Sequence, residues 1–230
     1  MQRGLIAAAL LCVAAAPAAK VPSLLTARDL DPTLVLPPPP AVGSPQAAAE
    51  LVELRAFENR DPATEADARR DGDTKNASIF AEVLGPKFDL TRLPATAALM
   101  ASVRASEKAT VDRGKEHFRR ARPYVSDPTL KACKRNDDPL SSYPSGHTSM
   151  AFSMAETLAR LVPEKAEALL ARAARYGQSR IVCEQHFRSD VSAGQMLGLL
   201  IAERLMTKPA FRTAFDTARR ELVESGVAQR

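Results

Sequence analysis

Three short stretches carry residue types that together could transfer a phosphoryl group. In KEHFRRARP, Lys115 is followed after six residues by Arg122 and Pro123. Read as a helix, this run places Lys115, Arg119 and Arg122 at i, i+4 and i+7 on one face, with Pro123 ending the helix. Alone, it reads as a solvated basic face. In SYPSGHTS, Gly146 lets backbone approach a ligand, Ser145 offers a hydroxyl, and a helix start supplies unpaired N–H groups and the positive end of its dipole. That is an anion site, and phosphate is its usual guest. His147 stands at its edge, able to give or take a proton, although a plain turn before a helix would use the same residues. In SRIVCEQHFRSD, Arg180 can fork onto two phosphate oxygens. Ser189 is placed to cap a helix beginning near Asp190. Asp190 can hold one nitrogen of His186 as a donor and leave the other free to attack phosphorus. Asp190 is also simply a favourable residue for a helix start. Taken together, cations, an anion-binding turn and two His supply charge neutralisation, a nucleophile and an acid.

The elements that must position these residues are helical. Apolar periodicity and caps predict helices from Pro45 and over 64–71, 76–84, 93–106, 108–120, 148–161, 163–179, 189–206 and 208–225, with Ser44-Pro45 as a cap and first turn. Sustained β-branched alternation is missing, so the fold class is all-α, a single-domain helical bundle over 45–230. Val191–Leu205 is apolar nearly all round and predicts a central buried helix, too short and interrupted to span a bilayer. Residues 20–44 hold LPPPP and form a proline-rich arm, extended in polyproline fashion, that packs across the domain or stays loose.

Residues 1–19 have a basic start, an apolar run and small residues at Ala16 and Ala19, the form of a signal peptide cleaved after either one. Export to the periplasm and a mature protein free of membrane follow as expectations. Cys12 lies within this segment. Leu11 before it is not the small residue that a lipidated Cys expects. The remaining pair, Cys133 and Cys183, favours a disulfide in an oxidising compartment, with two buried free thiols as the alternative. Net charge is +5, and losing Arg3 leaves +4; with no Trp and 5% aromatics, nucleic acid is not an expected partner.

Lys-x6-Arg-Pro, Pro-Ser-Gly-His and Ser-Arg-x5-His-x3-Asp, in this order, resemble the acid phosphatase / vanadium haloperoxidase superfamily, which includes the type-2 phosphatidic acid phosphatases. All fixed positions are met between Lys115 and Asp190. LPPPPAVGS, SYPSGHTS and a Cys shortly before HFRSDV are similar to the class A bacterial non-specific acid phosphatases, and this likeness strengthens the disulfide expectation. The resemblance implies that Lys115, Arg122, Arg180, Ser145 and Gly146 hold phosphate. It implies that His186, oriented by Asp190, attacks to form a phosphohistidine, and that His147 protonates the leaving alcohol and later activates water. No metal or cofactor is implied. Small phosphomonoesters are the expected substrates, inorganic phosphate or vanadate the inhibitors, alcohols a further phosphate acceptor, and a homo-oligomer the assembly.

Two positions depart from the class. Phe187 stands where Trp is common, and Glu184-Gln185 where a Gly and a variable residue are expected; both bear on substrate preference. His117 matches no motif position and reads as structural or exposed. Arg113, Arg119 and Arg120 have no assigned role, with Arg119 a candidate for the pocket mouth. A vanadate-dependent haloperoxidase or a lipid-phosphate phosphatase would use the same residues. A non-catalytic phosphate-binding protein is the alternative outside enzymes.

Overall fold

A computed structural model describes residues 21–229, so the expected signal segment and Cys12 lie outside the described residues. The chain forms α1 (Pro32–Val35), α2 (Pro45–Arg55), α3 (Pro62–Asp73), α4 (Ala81–Leu84), α5 (Pro94–Phe118), α6 (Pro123–Ser126), α7 (Gly146–Leu161), α8 (Ala166–Val182), α9 (Arg188–Met206) and α10 (Pro209–Glu224), with 3₁₀ turns at Ala77–Phe80 and Pro163–Lys165. No strand occurs among the described residues, as the all-α reading expects.

Polar caps set the early boundaries. Ser44 Oγ accepts from the Ala47 N–H at 3.2 Å with Pro45 in the first turn, and Asp61 accepts from Ala63 and Thr64, each at 3.0 Å. The expected break near Glu107 does not exist: α5 runs unbroken from Pro94 to Phe118. The polar stretch at 104–110 reads as a gap in the apolar pattern, yet it holds no Gly or Pro. Its Ser106, Glu107 and Thr110 are buried. The helix also ends earlier than expected. Arg119 takes the left-handed conformation (φ 42°) and turns the chain, leaving Arg122 in extended backbone beyond it. Lys115, Arg119 and Arg122 therefore do not share a helical face, and Arg119 points into solvent.

The core centres on α7, not α9. Met150, Phe152, Met154, Leu158 and Leu161 bury α7 nearly all round, between α5, α8 and α9. α9 is one-sided: Val191, Leu197, Ile201 and Leu205 face inward while Gln195 and Met196 are exposed. The two helices approach closely because α9 carries glycines at the contact. A Cβ at Gly194 would lie 2.5 Å from the Ser145 carbonyl, and one at Gly198 2.6 Å from that of Ser149.

The arm packs across the domain. Leu25, Leu30 and Leu36 enter the main core. Arg113 donates to the Leu30 carbonyl at 3.0 Å, and the Tyr143 hydroxyl donates to the Pro37 carbonyl at 2.5 Å. A disulfide joins Cys133 to Cys183 with their Cα atoms 4.9 Å apart, pinning the 127–142 loop beside the end of α8. The Cys133 N–H also donates to the Cys183 carbonyl at 3.0 Å.

Candidate active site

Backbone bonds knit the three sequence motifs into one cavity wall. The Ser142 N–H donates to the Arg120 carbonyl (3.1 Å), that of Ser145 to the Asp190 carbonyl (3.0 Å), and that of Gln185 to the Arg180 carbonyl (3.0 Å). Arg122 Nη1 then donates to the Gln185 carbonyl and meets His186 Nε2, both at 2.9 Å. A guanidinium can only donate, so His186 Nε2 is an acceptor and its lone pair points at the cation. The His186 proton resides on Nδ1, which lies 3.4 Å from Asp190 Oδ2 but makes no hydrogen bond to it or to any other described residue.

Asp190 is a buried hub. Its Oδ2 accepts from Ser142 Oγ at 2.6 Å and from the Phe187 N–H at 2.9 Å; its Oδ1 accepts from Arg120 Nη1 at 2.6 Å. The Phe187 bond starts α9 at Arg188, so Ser189 is not the cap. Instead Ser189 Oγ accepts from Arg120 (2.6 Å), and its N–H donates to Glu50 Oε1 (2.6 Å). Arg120 also binds Glu50 Oε2 at 2.8 Å and stacks over the Phe187 ring at 4.1 Å from its centroid. Arg120 and Glu50 were invisible in the sequence pattern. A second Arg in an Arg-rich run, and a Glu on an Ala/Leu/Glu helix 70 residues upstream, carry no local signal.

α3 forms the opposite wall. Asp71 accepts from Ser179 Oγ (2.7 Å) and Arg172 Nη2 (2.5 Å), and the Tyr176 hydroxyl donates to the Thr74 carbonyl (2.8 Å), docking α3 on α8. This brings Gly72 directly over Arg180, where a Cβ would collide with Nη1. The Gly72 carbonyl accepts from His147 Nε2 at 3.0 Å. That bond keeps a hydrogen on Nε2 and leaves Nδ1 as the nitrogen whose protonation changes.

The cavities on either side of His147 hold about 140 and about 170 Å³, and Lys75 lines both. Lys115, Gly146 and Glu107 line the first; Arg180, Gln185 and Lys134 line the second. Arg122 and His186 line neither cavity; they meet each other behind Gln185, whose carbonyl Arg122 bonds. Ser145 is placed differently from the other expected phosphate ligands: its hydroxyl caps α7, accepting from the Thr148 N–H and bonding Thr148 Oγ1 at 3.0 Å. His117 is exposed. Among the described residues, no three His, Cys, Asp or Glu side chains stand together as metal ligands.

The electrostatics suit an anion. Burial, then the neighbouring Arg122, lowers Lys115 to about 8; burial likewise takes Arg180 down to about 10 and depresses Arg122. Burial followed by these cations drives His186 and His147 well below the ordinary imidazole value. Arg122 Nε and Arg180 Nε are buried with no hydrogen-bond partner among the described residues. Buried donors without acceptors are costly, and convergent guanidinium groups are matched by phosphate oxygens.

The sequence departures have structural roles. Glu184 takes the left-handed conformation (φ 52°), which is why Gly is the expected residue there. Its carboxylate pairs with buried Arg60 at 2.8 Å, and Gln185 Nε2 donates to the Lys134 carbonyl.

Residues 94–213 match the family model described as the PAP2 superfamily. An acid phosphatase of Zymomonas mobilis is 35% identical over 200 residues, covering 84% of this chain and 75% of that protein. A non-specific acid phosphatase of Salmonella typhi is 33% identical over 151 residues, covering 64% of this chain and 60% of that one. Among solved structures, a transmembrane PAP2-type phosphatidylglycerolphosphate phosphatase from Bacillus subtilis superposes with a TM-score of 0.53 over 74% of this chain and 86% of that one. At 19% identity the likeness is one of fold, and no helix among the described residues is long and apolar enough to cross a membrane.

Proposed function

As a chain that belongs to the PAP2 superfamily, this protein is an acid phosphatase, and we propose that it hydrolyses phosphate monoesters through a covalent phosphohistidine. The observation that carries the mechanism is the buried His186 Nε2 lone pair aimed at Arg122 beside guanidinium nitrogens that lack acceptors. A phosphate entering this cavity supplies the missing acceptors and separates Arg122 from His186.

His186 Nε2 then attacks phosphorus, forming a P–N bond as the ester P–O bond breaks. The leaving oxygen takes the pair of electrons and a proton from His147 Nδ1. Phosphate held by Lys115, Arg122 and Arg180, with the Gly146 N–H and the Ser145 hydroxyl, spreads its charge over five donors. In its capping position the Ser145 hydroxyl only accepts from Thr148, so its own hydrogen is free to be donated. In the second step His147 Nδ1 takes a proton from water, whose oxygen attacks phosphorus. The P–N bond breaks and inorganic phosphate leaves. An alcohol in place of water would receive the phosphate instead. Acid–base help from His147 is worth about 10²–10⁴-fold.

The depressed basicity of His147 in the empty cavity fits this sequence. Burial and the nearby cations lower it, and an arriving phosphate dianion offsets the cations, so protonation follows substrate binding. Orientation of His186 by Asp190 belongs to the same reading: the carboxylate sits 3.4 Å from Nδ1, held there by Ser142, Phe187 and Arg120. Export with removal of residues 1–19 is part of the proposal, since it supplies the oxidising compartment that a Cys133–Cys183 bond requires.

The test compares the wild type with H186A on p-nitrophenyl phosphate at about pH 5.5 with EDTA present. Activity should persist in EDTA and vanish in H186A. Alkaline quenching during turnover should trap phosphate on the wild type alone, stable in base and released by acid. Activity abolished by EDTA, or surviving loss of His186, would overturn the phosphohistidine route.

A further inference from the structure

Glu107 sits on the inner face of α5, two turns before Lys115, and is fully buried. It lines the same cavity as Lys115, Gly146 and His147. Its Oε2 pairs with Arg104, one turn back on α5. Its Oε1 is buried with no hydrogen-bond partner among the described residues. That oxygen faces the loop-to-helix junction: a Cβ on Gly146 would lie 3.9 Å from Glu107 Oε1 and 3.7 Å from Lys115 Nζ. None of the three motifs contains this position, and the phosphoryl-transfer sequence above does not use it.

A carboxylate oxygen at the wall of a phosphate cavity poses a physical problem. Ionised, it would repel the bound oxyanion and compete with it for Lys115. Protonated, it would carry a hydroxyl hydrogen with no acceptor inside the protein, directed at the place where phosphate oxygens must lie. The second state turns an unsatisfied polar atom into a ligand.

We propose that Glu107 is a further phosphate-binding residue, acting as a neutral carboxylic acid that donates a hydrogen bond from α5 to a phosphate oxygen lodged over Gly146. This rests on the phosphatase reading of the same cavity. The charged or titratable groups around Glu107 are Arg104, Lys108, Asp112 and Lys115 on α5, His147 on α7, and Lys75 beyond α3. Burial outweighs the attraction of Arg104 and lifts the Glu107 carboxyl to about 7, so the acid form prevails in acidic solution. Anion affinity should then fall as pH rises past neutrality, because one donor becomes a negative charge. A preference for acidic solution in anion binding would then be written partly in α5, apart from the two His.

Sulfate is a suitable probe, since it remains a dianion throughout this range while phosphate does not. Its inhibition constant against p-nitrophenyl phosphate would be measured from about pH 5.5 to 8 for wild type, E107Q and E107M, with circular dichroism confirming that each is folded. For the wild type the constant should rise across the range about tenfold more than it does for E107Q, whose amide still donates and in which Lys115 and His147 titrate alike. E107M has no donor and should bind sulfate about tenfold more weakly than wild type already at pH 5.5. Curves for wild type and E107Q that run parallel, or wild-type affinity in E107M at pH 5.5, would overturn the assignment. A wild type that does not hydrolyse the ester would sink the phosphatase reading instead. Sulfate-induced shifts in melting temperature for the same three proteins would then still decide the role of Glu107.

Discussion

Arg120 ties down the backbone and carboxylate beside His186, and its replacement by Met puts a number on that support. One guanidinium holds two buried carboxylates, Asp190 at 2.6 Å and Glu50 at 2.8 Å, while its face covers Phe187. Its side chain is 9% exposed, Asp190 0% and Glu50 6%. Solvent therefore screens the three very little, and surface ion-pair values do not apply. R120M leaves both carboxylates buried without their cation, a change that costs about 3–5 kcal/mol. For a domain of this size that is a fall in melting temperature of roughly 6–20 °C. R120K restores charge but cannot bridge both carboxylates and stack flat on the ring, so it should recover only part of the loss. D190N keeps an acceptor for the Ser142 hydroxyl and the Phe187 N–H while removing one stranded charge. In R120M/D190N the two effects should consequently fail to add, by about 1 kcal/mol or more. Urea unfolding followed by circular dichroism measures all four proteins. An R120M loss below about 1 kcal/mol, or additive behaviour in the double mutant, would refute the account of Arg120 as the cation of a buried cluster.

Three further outcomes follow from the packing and the charges. The Cys133–Cys183 bond spans 50 residues, and the chain entropy it removes from the unfolded state is worth about 4 kcal/mol; C133S should lower the urea midpoint correspondingly, and an unchanged midpoint contradicts this. Gly194→Ala puts a methyl group 2.5 Å from the Ser145 carbonyl, so it should cost about 1–3 kcal/mol and reduce turnover as well, whereas Gly198→Ala, pressed against Ser149 and Phe152 deeper in α7, should cost stability with a smaller effect on turnover. Glu107 gives a pH signature in stability. With its carboxyl raised to about 7 by burial, the folded chain keeps a proton that the unfolded chain releases above about 4.5, so wild-type stability falls as pH rises through that window. E107Q should match the wild type near pH 4 and exceed it by up to roughly 3 kcal/mol at pH 8; equal slopes between those limits would contradict the burial argument.

What the sequence made legible is which side chains lie near one another, because they sit in short contiguous motifs. Lys115 and His147 line one cavity, Arg180 and His147 the other, and Arg122 meets His186 behind Gln185. The geometry assumed for the first motif did not hold. A helix through Arg122 is reasonable from propensity alone, yet Arg119 adopts a left-handed turn that no local residue preference announces, and Arg122 reaches His186 only because of it. The same limit explains α5. Ser106, Glu107 and Thr110 look like a polar break, since a one-dimensional pattern cannot tell a solvated polar residue from one buried in a cavity wall. α9 misleads in the opposite direction: its glycines count as apolar in the pattern, whereas their role is to let α7 approach.

The supporting layer was illegible for a different reason, which Glu184 makes plain. A glycine would fit its left-handed backbone without strain, and a Glu there costs of order 1 kcal/mol locally. Judged by backbone preference alone, the departure looks like damage beside His186. Arg60, over a hundred residues upstream, gives the position its purpose. Its guanidinium pairs with Glu184, donates to the Lys131 carbonyl at 2.7 Å and approaches Cys133, so the strained residue becomes the anchor that fastens the disulfide loop next to His186. Arg120 with Glu50 follows the same logic on the other side of the imidazole. In both cases a charged residue from the early part of the chain fixes the backbone flanking His186. The motif supplies the imidazole and its flanking backbone, and long-range ion pairs from α2 and the α2–α3 turn supply their rigidity. Substitutions at Glu50 or Arg60 should therefore disturb catalysis from outside every recognisable motif.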